Sequence, residues 1–380
     1  MIPYGRHTIS QDDIDAVVEV LQSDWLTTGP AVQQFEEIVA DYCGVQHGVA
    51  VCNGTAALHC AMYALGVGEG DEVIVPPITF AATANAVCYM GATPVFADVC
   101  VDSLLIDPLK VEACVTPKTK AIIAVDYTGQ PCDWDGLKAI AKKHNLKLVA
   151  DSCHAIGGEY KDRKVGQCAD MSVFSFHPVK HVATGEGGMI VTDSDDYAQK
   201  MRVFRSHGIT ADFRQRAEAG SWEYDMVELG FNYRLTDMQC ALGISQMKKL
   251  DDSIARRLEI AKVYDAAFAE HPLITSLKSS ADVKNAYHLY VVKVGRTAED
   301  RKAIFGGMRE KEIGVNVHYR PVHLMPYYRE TFGHGDGLCP VAEEAYIHLL
   351  SIPMYPALTD EEQEYVINAL KECVESVCGQ

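Results

Sequence analysis

The sequence predicts an α/β protein with a mostly parallel central sheet in a large domain, residues 1–249, followed by a smaller C-terminal α+β domain, residues 250–380. Three observations carry this. Seven short apolar runs recur through the first two-thirds of the chain, as expected of strands buried on both faces. Helical patterns separate many of these runs, the crossovers that parallel strands require. Beyond about residue 250 the texture changes to two separated strand patterns with a helix between them and a long closing helix.

Taken in order, "SQDDIDAVVEVLQS" carries helical periodicity with Ser10 as its N-cap. "DWLTTGPAVQQFEEIVADYCG" gives a Gly-Pro loop and a second helix that stops at Gly44. Strands are expected in "GVAVC", "DEVIVPP", "TPVFADV", "KAIIAVD", "LKLVAD", "DMSVFSF" and "GGMIVTD". Helices are expected in "GTAALHCAMYALG" and "DWDGLKAIAKKHN". A long helical region, "GFNYRLTDMQCALGISQMKKLDDSIARRLEIAKVYDAAF", links the domains. The smaller domain offers the strand "HLYVVKV", a helix near "RKAIFGGMREK", the strand-like "GVNVHYRPV" and the helix "TDEEQEYVINALKECVES".

Composition narrows the function. The chain has 380 residues, 34 Lys and Arg against 52 Asp and Glu, and a net charge of −18. That balance argues against general nucleic-acid binding, so an anionic substrate must be met by local donors. No apolar run is long enough to cross a membrane, and "MIPYGRHTISQDD" turns polar within ten residues, so no leader peptide is expected. Thirteen cysteines include no C-x-x-C pair and are odd in number, which points to buried free thiols in a reducing cytoplasm.

Open α/β sheets bind ligands beyond the carboxyl ends of their strands, and three strand ends carry candidate chemistry. In "VCNGTAALH" a turn at Gly54 and Thr55 opens a helix whose free N–H groups suit a phosphate, although a plain helix cap has the same look. In "LKLVADSCHAIGG" Asp151 stands where a buried strand runs out, with His154 one turn on. A cationic ring nitrogen would partner that carboxylate, and a capping Asp beside a packed His is the plainer alternative. In "SFHPVKHVATGEGG" Ser175 ends its strand and Lys180 follows in a turn-rich hinge. Burying an ammonium is costly unless it is paired or reacts, so this lysine could be placed there for chemistry, with a chance loop lysine as the plain alternative. Phe80 in "PPITFAATANA" could cover a planar ligand or simply pack. Together, phosphate donors, a strand-end carboxylate, an aromatic lid and a lysine describe a pyridoxal phosphate site, with Lys180 forming the Schiff base and Asp151 holding the pyridine nitrogen protonated. Metal binding is not expected, because His177, His181, His318 and His323 form no helical H-x-x-x-H pair.

Five segments, "NGTAALH", "PPITFAATANA", "ADSCHAIGG", "SFHPVKHVATGEGGM" and "GFNYRLTDMQCALG", resemble the DegT/DnrJ/StrS family of pyridoxal phosphate-dependent sugar aminotransferases over nearly the whole chain. The resemblance implies the fold-type-I transferase architecture and a homodimer with shared active sites. It implies that Lys180 is the catalytic, cofactor-bearing lysine and that Asp151 is the partner of the ring nitrogen. His154 would contact the ring or its 3-oxygen, Phe80 would stack on it, and Gly54, Thr55 and Ser175 would hold the phosphate with Asn232 of the second subunit. Within the family, "IPYGR", "SFHPVK", "FRSHGIT", "GFNYRLTD" and "GVNVHYRPVHLMPYY" are similar to members of the pseudaminic acid pathway. They imply L-glutamate and a UDP-linked 4-keto-6-deoxy-N-acetylhexosamine as substrates. Sugar contacts would come from Tyr4, Trp25, Leu26, Thr27, Thr28, Glu186, Asn316, Val317, His318 and Tyr319. Two departures, Arg320 in place of an apolar residue and "NGT" in place of a Ser/Ala-rich turn, leave dTDP- or GDP-linked keto sugars as alternatives. A non-catalytic regulator and a cysteine desulfurase using Cys339 are more remote ones.

Overall fold

The computed structural model describes residues 1–210 and 220–379. Its centre is a seven-stranded sheet built from β1 (His47–Val51), β2 (Glu72–Val75), β3 (Thr93–Phe96), β4 (Thr119–Val125), β5 (Lys147–Asp151), β8 (Met171–Ser175) and β9 (Gly188–Thr192). Two short strands, β6 (Glu159–Tyr160) and β7 (Arg163–Lys164), fall between β5 and β8 along the chain and belong to a separate small sheet. All seven expected strands therefore form, in the order β1-β9-β8-β5-β4-β2-β3. Six run in one direction and β9 alone is reversed. Val, Ile and Ala fill β2, β4 and β5 because helices cover both faces of a parallel sheet, so alternation is not required.

The flanking helices begin and end where the sequence says they should. Helix α1 (Gln11–Leu21) starts after Ser10, whose backbone N–H donates to Asp13 Oδ2 at 2.8 Å. Helix α2 (Pro30–Cys43) has Pro30 in its first turn and stops at Gly44, which takes the left-handed φ of 72° that favours glycine. Helix α3 (Gly54–Ala64) is buried nearly all round and passes over β8 and β9, and α4 (Ala82–Tyr89) packs beside it. The long helical region divides into two helices, Asp237–Met247 and Leu250–Phe268. Its leading "GFNYR" is not helical.

A second apolar core gathers Ile260, Tyr264, Ile304, Met308, Val366 and Leu370 around a small antiparallel sheet. That sheet has the order β10 (Ile274–Ser276), β12 (Tyr290–Val294), β13 (Leu349–Ile352), while β11 (Val283–Lys284) pairs with β6. Residues 322–345 do not join this core: Val322, Tyr328, Cys339 and Ala342 pack with the central-sheet cluster. The segment "GVNVHYRPV" corrects the strand expectation. It runs as a connection that meets β13 through an isolated Asn316–Ser351 bridge, then forms a short 3-10 turn at Val322–Leu324. Pro321 removes a ladder donor, and the turn that follows carries the chain away from the sheet.

Candidate active site

β1, β5 and β8 run parallel, so their carboxyl ends open on one edge of the sheet. Beyond β1, Asn53 caps α3 and its Oδ1 accepts from the Ala56 N–H at 2.8 Å. The N–H groups of Gly54 and Thr55, in the first turn, have no helical acceptor. In the register of the sheet Gly188 faces both Val51 and Ser175. A Cβ on Gly188 would collide with the Asn53 carbonyl, so glycine allows the α3 entry to lie on β9. A Cβ on Gly54 would lie 3.1 Å from Ser175 Cβ and 3.3 Å from Cys153 Sγ. The three strand ends thus close around a small concavity.

Asp151, the last residue of β5, is 6% exposed. Its Oδ2 accepts from the Thr83 hydroxyl at 2.7 Å and its Oδ1 from the Cys153 N–H at 3.3 Å. Thr79 extends this chain, its hydroxyl 2.7 Å from that of Thr83. His154 is buried, with Nε2 3.3 Å from the Tyr319 hydroxyl and Nδ1 unpartnered. Its ring lies 4.5 Å from that of His288. Burial, reinforced by Lys180 and His318, holds the His154 imidazole well below its ordinary value, so it is neutral. Burial likewise lowers the Lys180 ammonium, against the opposing pull of Cys153 and Asp151. Among the described residues the Lys180 amine has no ion pair or hydrogen bond.

These groups line one cavity of about 650 Å³. It brings together thirteen of the sequence-predicted residues: Tyr4, Gly54, Thr55, Phe80, Asp151, His154, Ser175, Lys180, Glu186, Asn316, Val317, His318 and Tyr319. Phe80 stands at the edge, 62% exposed, its ring 6.3 Å from that of Tyr319. The far wall is fixed by His318, whose Nδ1 is 2.8 Å from Ser351 Oγ and whose carbonyl accepts from the Tyr127 hydroxyl. Burial pushes the His318 imidazole down to about 4, with Lys180 adding to the shift.

Five predicted residues do not line this cavity. Trp25, Leu26 and Thr27 are exposed and Thr28 half-buried in the loop before α2, and Asn232 is exposed after Phe231. The Trp25–Thr28 loop instead lies against the residues a few positions after Asn232: Thr27 bridges Thr236, and the Asp237 N–H donates to the Leu26 carbonyl at 3.1 Å, while Asn232 itself bridges Ser206. The structure also adds lining residues that the sequence reading missed, among them Thr79, Cys153, His177, Val179 and His288, with Thr83 behind Asp151. Thr79 and Thr83 lie four residues apart within a quoted motif, a usable signal. His288 comes from the other end of the chain and had none.

The desulfurase reading is corrected here. It requires an accessible, reactive thiol, but Cys339 is fully buried in the central-sheet core and burial raises its thiol far above the ordinary value. Among the described residues no group of three His, Cys, Asp or Glu side chains could hold a metal ion. None of the described helices is long and apolar enough to cross a membrane.

Three comparisons place this geometry among known proteins. Residues 7–371 match the DegT/DnrJ/EryC1/StrS aminotransferase family. The chain is 42% identical to the spore coat polysaccharide biosynthesis protein SpsC of Bacillus subtilis over 377 residues, covering 98% of this chain and 97% of SpsC. Among solved structures it is similar to Spr1654 from Streptococcus pneumoniae in its PMP form, with a TM-score of 0.94, 32% identity, and coverage of 99% of this chain and 100% of that one. It is also similar to PseC of Helicobacter pylori, an aminotransferase involved in the biosynthesis of pseudoaminic acid. That match has a TM-score of 0.92 and 34% identity and covers 99% of each chain.

Proposed function

The chain belongs to the DegT/DnrJ/EryC1/StrS aminotransferase family, and from that premise we propose that it moves the amino group of glutamate to C4 of a UDP-linked 4-keto-6-deoxy-N-acetylhexosamine, in pseudaminic acid synthesis. It is a pyridoxal phosphate-dependent aminotransferase. The observation that carries the reading is the convergence of Lys180, Asp151, His154, Ser175 and the α3 entry on one cavity. The similarity to PseC supports the choice of sugar.

The residues present fit the cofactor. The concavity at Gly54, which a Cβ would fill, is bordered by the Ser175 hydroxyl and the first-turn N–H groups of α3, a donor set for a phosphate. Asp151, braced by Thr83, offers a carboxylate to a ring nitrogen, and the unpartnered Nδ1 of His154 marks a buried polar group with capacity for a ligand or water. When bound, pyridoxal phosphate supplies an electron sink and carries the amino group between the two substrates. Lys180 holds the cofactor, and once displaced its Nζ takes the proton from the donor's α-carbon and later returns one at C4 of the sugar. Burial that lowers the Lys180 ammonium makes its free amine more available as a base.

We further propose a homodimer with shared sites. Trp25 to Thr28 meet the segment that carries Asn232 through the Thr27–Thr236 bridge, and the chain leading into that segment exposes Trp222, Met226, Leu229 and Phe231. An apolar surface of this kind suits burial against a second copy, which would bring these residues to the neighbour's cavity.

The test supplies UDP-, dTDP- and GDP-linked 4-keto sugars with glutamate and follows 2-oxoglutarate, with Lys180→Ala as the inactive control. Preferred turnover of the UDP-linked N-acetyl sugar is expected. Turnover of only dTDP- or GDP-linked sugars would overturn the pseudaminic reading and leave the aminotransferase standing.

A further inference from the structure

We propose that Arg320 is a specificity-determining residue that binds the diphosphate of the nucleotide-linked substrate at the cavity mouth. The inference rests on the function proposed above and names the group that recognises its anionic part. In a chain of net charge −18, a dianion needs a dedicated cation, because the overall field repels it. Arg320 is the only arginine among the described residues lining the cavity. The other lysine or arginine there is Lys180, which lies with Asp151 at the base and is committed to the cofactor. Both carboxylates of the lining, Asp151 and Glu186, would oppose a phosphate.

The guanidinium is placed but not spent. Its one hydrogen bond among the described residues goes from Nη2 to the Leu324 carbonyl at 2.9 Å, and no carboxylate pairs with it. That bond spans the turn in which the Leu324 N–H donates to the Pro321 carbonyl at 3.0 Å. The turn is in turn held to the large domain by the Val322 N–H donating to the Pro77 carbonyl at 2.9 Å. Arg320 is therefore an exposed side chain on an anchored backbone, with four of its five donors free. Its planar fork matches phosphate oxygens.

Position favours the diphosphate over the carboxylate of glutamate. For C4 of the sugar to reach Lys180, the pyranose must enter that end first. The diphosphate on C1 then falls across the ring, toward the mouth where Arg320 stands. The donor's reacting carbon also reaches Lys180, but glutamate is short and leaves its carboxylates deeper.

The experiment titrates UDP alone into the cofactor-loaded enzyme by calorimetry, for the wild type, Arg320→Ala and Arg320→Lys. Loss of a charge-assisted contact is expected to weaken UDP binding roughly 10- to 100-fold in Arg320→Ala, with partial recovery in Arg320→Lys. A steeper salt dependence of UDP affinity is expected in the wild type than in Arg320→Ala. UDP affinity within twofold of wild type in Arg320→Ala would overturn the proposal. So would a larger loss in the glutamate half-reaction than in UDP binding, which would assign Arg320 to the amino donor. If the wild type binds UDP but turns over no UDP-linked sugar, the substrate reading fails while the UDP comparison still decides the role of Arg320.

Discussion

Thr83→Val keeps a side chain's shape and removes one hydroxyl, and it tests whether Asp151 is positioned from behind. The Thr83 hydroxyl donates to Asp151 Oδ2 at 2.7 Å and lies 2.7 Å from the Thr79 hydroxyl. Because its single hydrogen goes to the carboxylate, Thr79 must donate to Thr83. Thr79, Thr83 and Asp151 are all buried, so valine leaves a carboxylate oxygen and a hydroxyl without their partner. A hydrogen bond to a charged group contributes about 1.5–3 kcal/mol, and each stranded polar group costs about 1–3 kcal/mol. Apoenzyme stability is therefore expected to fall by about 2–4 kcal/mol. The carboxylate also loses the contact that fixes its direction, and the cofactor's half-saturation concentration is expected to rise roughly tenfold, about 1.4 kcal/mol. Cofactor is titrated into the apoenzyme and followed by visible absorbance, with thermal unfolding measured on the same samples. Thr83→Ser, which keeps the donor, should restore both quantities. Cofactor affinity within twofold of wild type, together with an unchanged melting temperature, would refute the reasoning.

Three further outcomes are expected. Asp151→Asn should bind cofactor yet lose at least about 10²-fold in kcat, and a loss of only a few-fold in steady-state kinetics would remove it from the ring nitrogen. His154, His181 and His288 are held well below the ordinary value of 6.5 chiefly by burial. The unfolded chain therefore takes up protons below that pH which the folded chain does not, and stability should fall on acidification by at most about 4 kcal/mol per pH unit for the three together. His288→Asn should remove about a third of that slope in unfolding measured between pH 6.5 and 5, and an unchanged slope would count against neutral burial. Mixing Lys180→Ala with Asn232→Ala chains should regenerate some active sites in an activity assay, and no recovery despite proven subunit exchange would argue that each site is built from one chain.

Much of the site was legible because its parts are local. Each strand end carries its own short motif: Gly54 and Thr55 after β1, Asp151 and His154 at β5, Ser175 and Lys180 after β8. Parallel β1, β5 and β8 must open on one edge, so predicting those strands already brings these residues together. The strand boundaries were equally plain, because Val- and Ile-rich runs between turn residues leave few alternatives. Capping was readable too, as Ser10 and Gly44 show.

What the sequence by itself determined was therefore the α/β class, the order of the strands along the chain and the residue types gathered at their carboxyl ends. Local backbone preference and hydrophobic periodicity fix those without reference to distant contacts. Only the tertiary structure decided the rest. It brought His288 against His154 from more than a hundred residues away and placed Thr83 behind Asp151. It also buried Cys339, turned Asn316 to Tyr319 into a connection where a strand was expected, and left Trp25 to Thr28 outside the cavity beside the segment that carries Asn232. Each of these depends on which distant surfaces exclude water from one another, and long-range packing of that kind leaves no periodic mark in the residues it joins.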